Sequence, residues 1–202
     1  MKHLFSDRNW MLDLETLDTR PSAHILAIGL VRFTPATGEV HEQHSWLVDA
    51  VSQPHRTTSD STIEWWHEQC AQKGKAGHRA RLIYGEGFDH VPRLNIGEAI
   101  EDVCSVIDLE DHMWCKGGSF DFPIFMHAHN KLLSDLPKPW HYYNEHDVRT
   151  LYNVLGKPPK HVRTPDLPHD PVSDCLAQIR GVAWTLARVS KIIIQNAKDE
   201  EE

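Results

Sequence analysis

Two carboxylates close the first apolar run of this chain, Trp10-Met11-Leu12-Asp13-Leu14-Glu15. The run reads as a strand, and residues two apart on a strand point to the same face. Asp13 and Glu15 therefore emerge together. Like charges a few Å apart raise the free energy unless a cation compensates them. Three distant residues can join them: Asp121, between Ser119-Phe120 and an apolar stretch, and His169 and Asp174, which bracket the start of the last helix. Four carboxylates and one histidine suit two hard divalent cations plus a general base. Oxygen-only ligands point to Mg²⁺ or Mn²⁺ rather than zinc.

At 202 residues the chain fits one domain spanning 1–202, long enough to bury a core, with a short acidic tail expected to be disordered from about residue 197. No apolar run reaches the roughly 18–20 residues that span a bilayer, and the polar N-terminus lacks a signal-peptide pattern. The four cysteines, Cys70, Cys104, Cys115 and Cys175, form no Cys-x-x-Cys pair, which fits reduced thiols in a cytoplasmic protein. A net charge of −8 argues against non-specific duplex binding, which favours basic domains. Cations still gather in two stretches, Lys73, Lys75, Arg79 and Arg81, then Lys157, Lys160 and Arg163. Solvated loops carry such runs routinely, and steering of phosphate is the competing reading.

Strands are expected over residues 10–14, 24–33 and 40–48, with Pro35-Ala36-Thr37-Gly38 turning a hairpin between the second and third. Ser61 and Glu64 match a helix capping box, and Asn95-Ile96-Gly97-Glu98 opens a helix carrying Ile100, Val103 and Ile107. A short strand over 112–116 leads through Gly117-Gly118 to a helix from Asp121 to about Leu133. Residues 140–143 read as a last strand, 147–155 as a helix, and the proline-rich stretch 156–168 as a loop. Asp170-Pro171 gives an N-cap followed by proline at the first helical position. Cys175, Ile179, Val182, Leu186, Val189 and Ile193 then form an apolar stripe. Three meandering strands followed by alternating helices and strands predict an α/β domain with a mixed sheet flanked by helices.

Asp-x-Glu near the N-terminus, Phe120-Asp121 in mid-chain and His169-x-x-x-x-Asp174 before a C-terminal helix together resemble the DEDDh class of 3′–5′ exonucleases, the ribonuclease T-like superfamily. The longer words Ser61-Thr62-Ile63-Glu64-Trp65-Trp66, Trp114 to Ile124 and Asp147-Val148-Arg149-Thr150 look like the T-even phage exonuclease A group and the mycobacterial-type exoribonuclease domain. The resemblance implies a ribonuclease-H-like fold and a bacterial or phage-encoded enzyme. It implies that Asp13 bridges two ions, Glu15 and Asp174 complete one shell, Asp121 holds the second ion, and His169 takes a proton from water. Thr16 and Leu17 match positions that line a terminal-nucleotide pocket, and Trp66, Phe122 and Arg149 are further substrate candidates. Gly117, Gly118 and Ser119 stand where many DEDDh enzymes have an asparagine. The implied partner is single-stranded nucleic acid with a free 3′ end, DNA favoured over RNA, with no membrane.

Taken singly, every one of these residues has a bland explanation, such as a solvated strand end, a helix-terminal acid or a surface histidine among fifteen. Their ordered agreement is what carries the functional reading. His41-Glu42-Gln43-His44 does not have zincin spacing, and His127-Ala128-His129 lies on a helix where near neighbours do not share a face, so both read as surface polarity. Adjacent helical residues are about 100° apart, so one ring of Trp65-Trp66 is expected in the core and the other outside. A non-catalytic nucleic-acid-binding protein on the same fold is the remaining alternative.

Overall fold

The computed structural model describes residues 2–199, with side chains to Val189. Five strands form one sheet in the order β3-β2-β1-β4-β5. They are β1 (Asn9–Thr16), β2 (Ile25–Thr34), β3 (Glu39–Leu47), β4 (His112–Cys115) and β5 (Glu145–Asp147). The first three run as an antiparallel meander, while β4 lies parallel to β1 and β5 parallel to β4. The β2–β3 turn closes at Gly38, whose φ of 73° suits a residue without a Cβ. The sheet is mixed and flanked by helices, as expected for a ribonuclease-H-like fold.

Seven helices follow: α1 (Asp60–Cys70), α2 (Gly74–Tyr84), α3 (Ile96–Val106), α4 (Asp121–Leu132), α5 (Val148–Leu155), α6 (Lys160–Arg163) and α7 (Pro171–Asp199). Alternation along β1 divides the interior. Trp10, Leu12 and Leu14 pack with Ile100 and Val103 of α3 and Phe125 of α4. Met11 points the other way, with Val31 and Phe33, into Cys175, Ile179 and Val182 of α7. A third cluster joins Leu17, Leu26 and Ala27 to Trp66, Cys70, Ala80 and Ile83 of α1 and α2. The apolar stripe of α7 thus seats on the sheet as its spacing requires, although the side chain of Ile193 lies outside the described residues.

Several local expectations are corrected. Ser59, not Ser61, caps α1, its hydroxyl accepting from the Thr62 N–H. The Asn95–Glu98 capping box of α3 is present as read. Residues 140–143 are not a strand, because Trp140 packs beneath α4 on Phe122 and Phe125 and its Nε1 donates to Glu145. The last strand is instead β5. Lys75, Arg79 and Arg81 ride on α2 rather than a loop, and the proline-rich stretch contains α6, entered from Pro159. His129 is buried, not at the surface. Backbone helix continues to Asp199, and residues 200–202 of the expected tail lie outside the described residues.

Candidate active site

Asp13 and Glu15 share the parity of Met11, so both carboxylates rise from β1 towards the start of α7. There they meet Asp174, and Asp13, Glu15 and Asp174 each place an oxygen within 4.8 Å of the others. The approach is close because of Gly29, opposite Asp13 on β2. A Cβ on Gly29 would stand 2.5 Å from the carbonyl carbon of Pro171, the first residue of α7. Cys175 fixes the same contact, its Sγ donating to the Met11 carbonyl at 3.4 Å.

Asp121 enters from the other side. Strand β4 pairs with β1 only as far as Met11, leaving that edge of β1 open beyond it. The Asp121 carboxylate takes over as acceptor, receiving the Leu14 N–H at Oδ1, 3.1 Å away. Asp13 is braced from α7, where Gln178 Nε2 donates to its Oδ1 at 2.7 Å. Burial raises all four acids. Asp13 and Glu15 are pushed well above the usual carboxylate range by desolvation, then by their acidic neighbours, of which Asp121 acts most on Asp13 and Asp174 most on Glu15. Desolvation lifts Asp121 to about 7, against the Leu14 hydrogen bond, and Asp174 to about 6, against the His169 N–H and the charge of Lys116. Buried oxygens in mutual repulsion form a donor set that hard divalent cations would neutralise.

His169 precedes the helix in a left-handed conformation, φ 61°, and its N–H donates to Asp174 Oδ2 at 3.0 Å. Its ring stands edge-on to Trp65, with centroids 4.6 Å apart, and burial lowers its pKa. Asp170 is the N-cap, accepting the Ser173 N–H at 2.8 Å and forming an ion pair with Arg79 of α2. Arg79 therefore holds the two helices together, while Arg81 donates to the Cys70 carbonyl. Lys73, Lys75, Lys157, Lys160 and Arg163 remain exposed.

Beside the acids lies a cleft of about 380 Å³ lined by Glu15, Thr16, Thr62, Trp65 and Phe120. Thr16 is at its wall. Leu17 is not, because its side chain belongs to the core with Leu26 and Trp66. Trp66 is fully buried and its Nε1 donates to the Thr16 carbonyl at 2.9 Å, so it cannot stack on a base. Trp65 is the half-exposed ring of the pair. Phe122 is likewise a core residue at 3% exposure, and Phe120 is the aromatic that reaches the cleft. Arg149 is exposed, donating to the Lys116 carbonyl at 3.3 Å, and its charge acts on Asp121. Gln178 was absent from the sequence reading, although it lies one helical turn beyond Asp174 on the same face.

A mixed sheet with buried acids gathered at the end of β1 offers a candidate site for divalent cations, and comparison with known proteins gives the family. Residues 8–186 match the 3′-5′ exoribonuclease Rv2179c-like domain, and the chain belongs to that family. It is a 3′–5′ exonuclease. The chain is 25% identical to the exodeoxyribonuclease of Enterobacteria phage T4, over 96% of this chain and 95% of that protein. Its fold is similar to that of E. coli exonuclease I in a zinc-bound complex with single-stranded DNA (TM-score 0.63, 13% identity, covering 93% of this chain and 42% of that one). It is also similar to S. pombe Pop2p in its Mg²⁺- and Mn²⁺-bound form (TM-score 0.54, 13% identity, covering 90% and 82%). The chain spans about two fifths of the exonuclease I structures it matches. Among the described residues no helix is long and apolar enough to cross a membrane.

Proposed function

We propose that this single domain removes nucleoside 5′-monophosphates from the free 3′ end of single-stranded DNA with the help of two divalent cations, Mg²⁺ or Mn²⁺. The observation that carries the reading is the meeting of Asp13, Glu15 and Asp174 oxygens within 4.8 Å, with Asp121 beside them and a cleft adjoining. Asp13 is the natural shared ligand, since it lies with Glu15 and Asp174 and is perturbed most by Asp121 among the charges around it. Glu15 and Asp174 would hold one ion and Asp121 the other. The ions would offset charge on the scissile phosphate and on the leaving oxygen.

The chain's own groups do the rest. His169 accepts a proton from the attacking water, and burial keeps its imidazole neutral and ready to do so. Thr16, Trp65 and Phe120 enclose the terminal nucleotide, with Trp65 giving a face on which the base stacks. Arg149 and Lys116, both exposed beside the acids, meet the phosphate backbone.

DNA is favoured by the likeness to a phage exodeoxyribonuclease over nearly the whole of both chains. The family model is described as an exoribonuclease, and trimming of RNA 3′ ends is the second reading. DNA and RNA oligonucleotides of one sequence, labelled at the 3′ end and digested side by side with Mn²⁺, decide between them. A circular single strand should survive. Cleavage of the circle, or release of a 5′ label first, would overturn the exonucleolytic reading.

A further inference from the structure

A second group of metal-type ligands lies at the opposite end of the sheet. His3, His112 and His146 place ring nitrogens within 4.8 Å of one another. His3 comes from a 3₁₀ turn ahead of β1 (Lys2–Phe5), His112 opens β4, and His146 is the middle residue of β5. Register explains the meeting. His112 and Trp114 are two apart on β4 and share a face, and His146 is paired with Trp114 on β5. His112 Nδ1 and His146 Nε2 come to 2.9 Å, and His3 stacks on His112 with centroids 4.2 Å apart. Because His112 pairs with Asn9, four residues before Asp13 and six before Glu15 on β1, His112 stands roughly 13–20 Å along the strand from those carboxylates. It is a separate site.

The hydrogen-bonding inventory leaves a gap. Three neutral imidazoles carry three donor N–H groups and three lone pairs. Among the described residues, the only side-chain hydrogen bond to these rings joins His112 to His146, using one lone pair. Two lone pairs therefore face no protein donor and stay within reach of solvent, from which an ion could enter. Desolvation lowers all three histidines, His146 to about 4, so the rings are available as ligands at neutral pH. In tetrahedral zinc geometry, with Zn–N bonds of about 2.0–2.1 Å, neighbouring ligand atoms are about 3.4 Å apart. Reaching that spacing calls for rotation of the rings out of the stack, with the 2.9 Å contact of His112 and His146 opening and the wider separations closing.

We propose that His3, His112 and His146 bind one Zn²⁺ ion, with solvent as the fourth ligand, in a site independent of the nuclease centre. The nitrogen-only set selects a borderline transition metal over Mg²⁺ or Mn²⁺. The ion ties the N-terminal turn and the three-residue edge strand β5 to β4, joining segments more than a hundred residues apart in sequence. Strand β5 ends in Asp147, which caps α5 by accepting the Arg149 and Thr150 N–H groups. Clamping β5 therefore steadies the helix that carries Arg149.

The test titrates Zn²⁺ into untagged protein under saturating Mg²⁺, following heat and thermal unfolding. Wild type and Asp13→Asn should each take up one equivalent and melt at a higher temperature with zinc. His3→Gln and His112→Gln should lose that rise and bind at least about 100-fold more weakly, since even loss of an outer partner costs 10–100-fold. His3→Gln alters only a half-buried ring on a short turn, so it decides the matter if His112→Gln fails to fold. Its Mg²⁺-supported nuclease activity should match wild type. Zinc uptake that persists in the histidine variants, or that disappears with Asp13→Asn, would overturn the site.

Discussion

The main-chain N–H of His169 donates to Oδ2 of Asp174 at 3.0 Å, so the proposed base and a proposed metal ligand are joined through backbone rather than through the imidazole. The ring stands edge-on to Trp65 and is not used in that bond. A left-handed conformation makes this geometry available at the residue before the helix cap.

His169→Ala therefore removes the proton acceptor but retains the bond to Asp174. Turnover should fall roughly 10²–10⁴-fold, the range for loss of a general base, while Mn²⁺ affinity stays within a few-fold of wild type. Single-turnover kinetics and calorimetric titration measure the two halves. Normal hydrolysis, or loss of metal binding, would remove His169 from the role.

Asp13→Asn should nearly abolish hydrolysis under saturating Mg²⁺ and still fold, because an amide oxygen can accept from Gln178 as the carboxylate does. Removing one charge from the cluster should also stabilise the metal-free protein. Each kcal/mol recovered appears as a rise of about 2–4 °C in Tm for a chain of this size. A variant with wild-type cleavage would refute the shared-ligand assignment.

Gly29→Ala tests the approach of α7 to the sheet. The new methyl meets Pro171 backbone and cannot be relieved by a side-chain rotation. Overpacking of this kind costs about 1–3 kcal/mol, and it displaces Asp174 and His169 together. Metal affinity and turnover should fall in parallel, unlike the split expected for His169→Ala. Unchanged activity would mean that α7 can retreat without moving its ligands.

The two tryptophans of α1 should separate cleanly. Trp66→Ala opens a cavity in the core and costs about 3–5 kcal/mol of stability. Trp65→Ala removes a ring only partly buried against that core, so it should cost less stability than Trp66→Ala but weaken substrate binding by about 1–3 kcal/mol if the ring stacks on a base. Chemical denaturation and KM measured on the same two variants provide the comparison, and the reverse pattern would refute it.

The raised acids should cost the metal-free protein stability as pH rises from about 4 to about 7. Asp121 has a folded pKa of about 7 against an ordinary 3.8, and Asp13 and Glu15 are also raised by burial. In this window the folded state keeps protons that the unfolded state has already released. Their stabilising effect is complete below the ordinary carboxylate value and disappears as pH climbs through the folded one. The lowered histidines act in the opposite sense, because the unfolded imidazoles still hold protons that the folded ones have lost, so the acids are read from the difference between metal-free and metal-loaded protein. Melting temperatures in EDTA should fall with pH relative to those in saturating Mg²⁺. Parallel EDTA and Mg²⁺ profiles would contradict the buried-acid picture.

The acids were legible because strand parity and chain order survive in a linear reading. Asp13 and Glu15 need only alternation, and Asp170-Pro171 announces the helix that presents Asp174. The cleft walls were harder. Trp65 and Trp66, or Phe120 and Phe122, are equally apolar, and choosing the exposed ring depends on which side of α1 or α4 the core lies. Gly29 left no local mark, since its function is set by Pro171, 142 positions along the chain. The histidine cluster was hidden for the same reason: its members meet only through the register of β4 with β5 and the fold-back of the N-terminal turn.

The contact of Gly29 with Pro171 joins the acids of β1 to those of α7 through main chain, whereas the cleft beside them is walled by side chains of α1 and of the segment before α4. On the proposed function, reaction geometry and nucleotide preference thus rest largely on different parts of the molecule. Substitutions at Thr62 or Phe120 should reshape what enters the cleft without shifting the acids of β1 and α7. A change between deoxyribose and ribose selectivity is therefore open to a few side-chain replacements on one scaffold, whereas a change in the reaction itself would require the sheet and its longest helix to be rebuilt together.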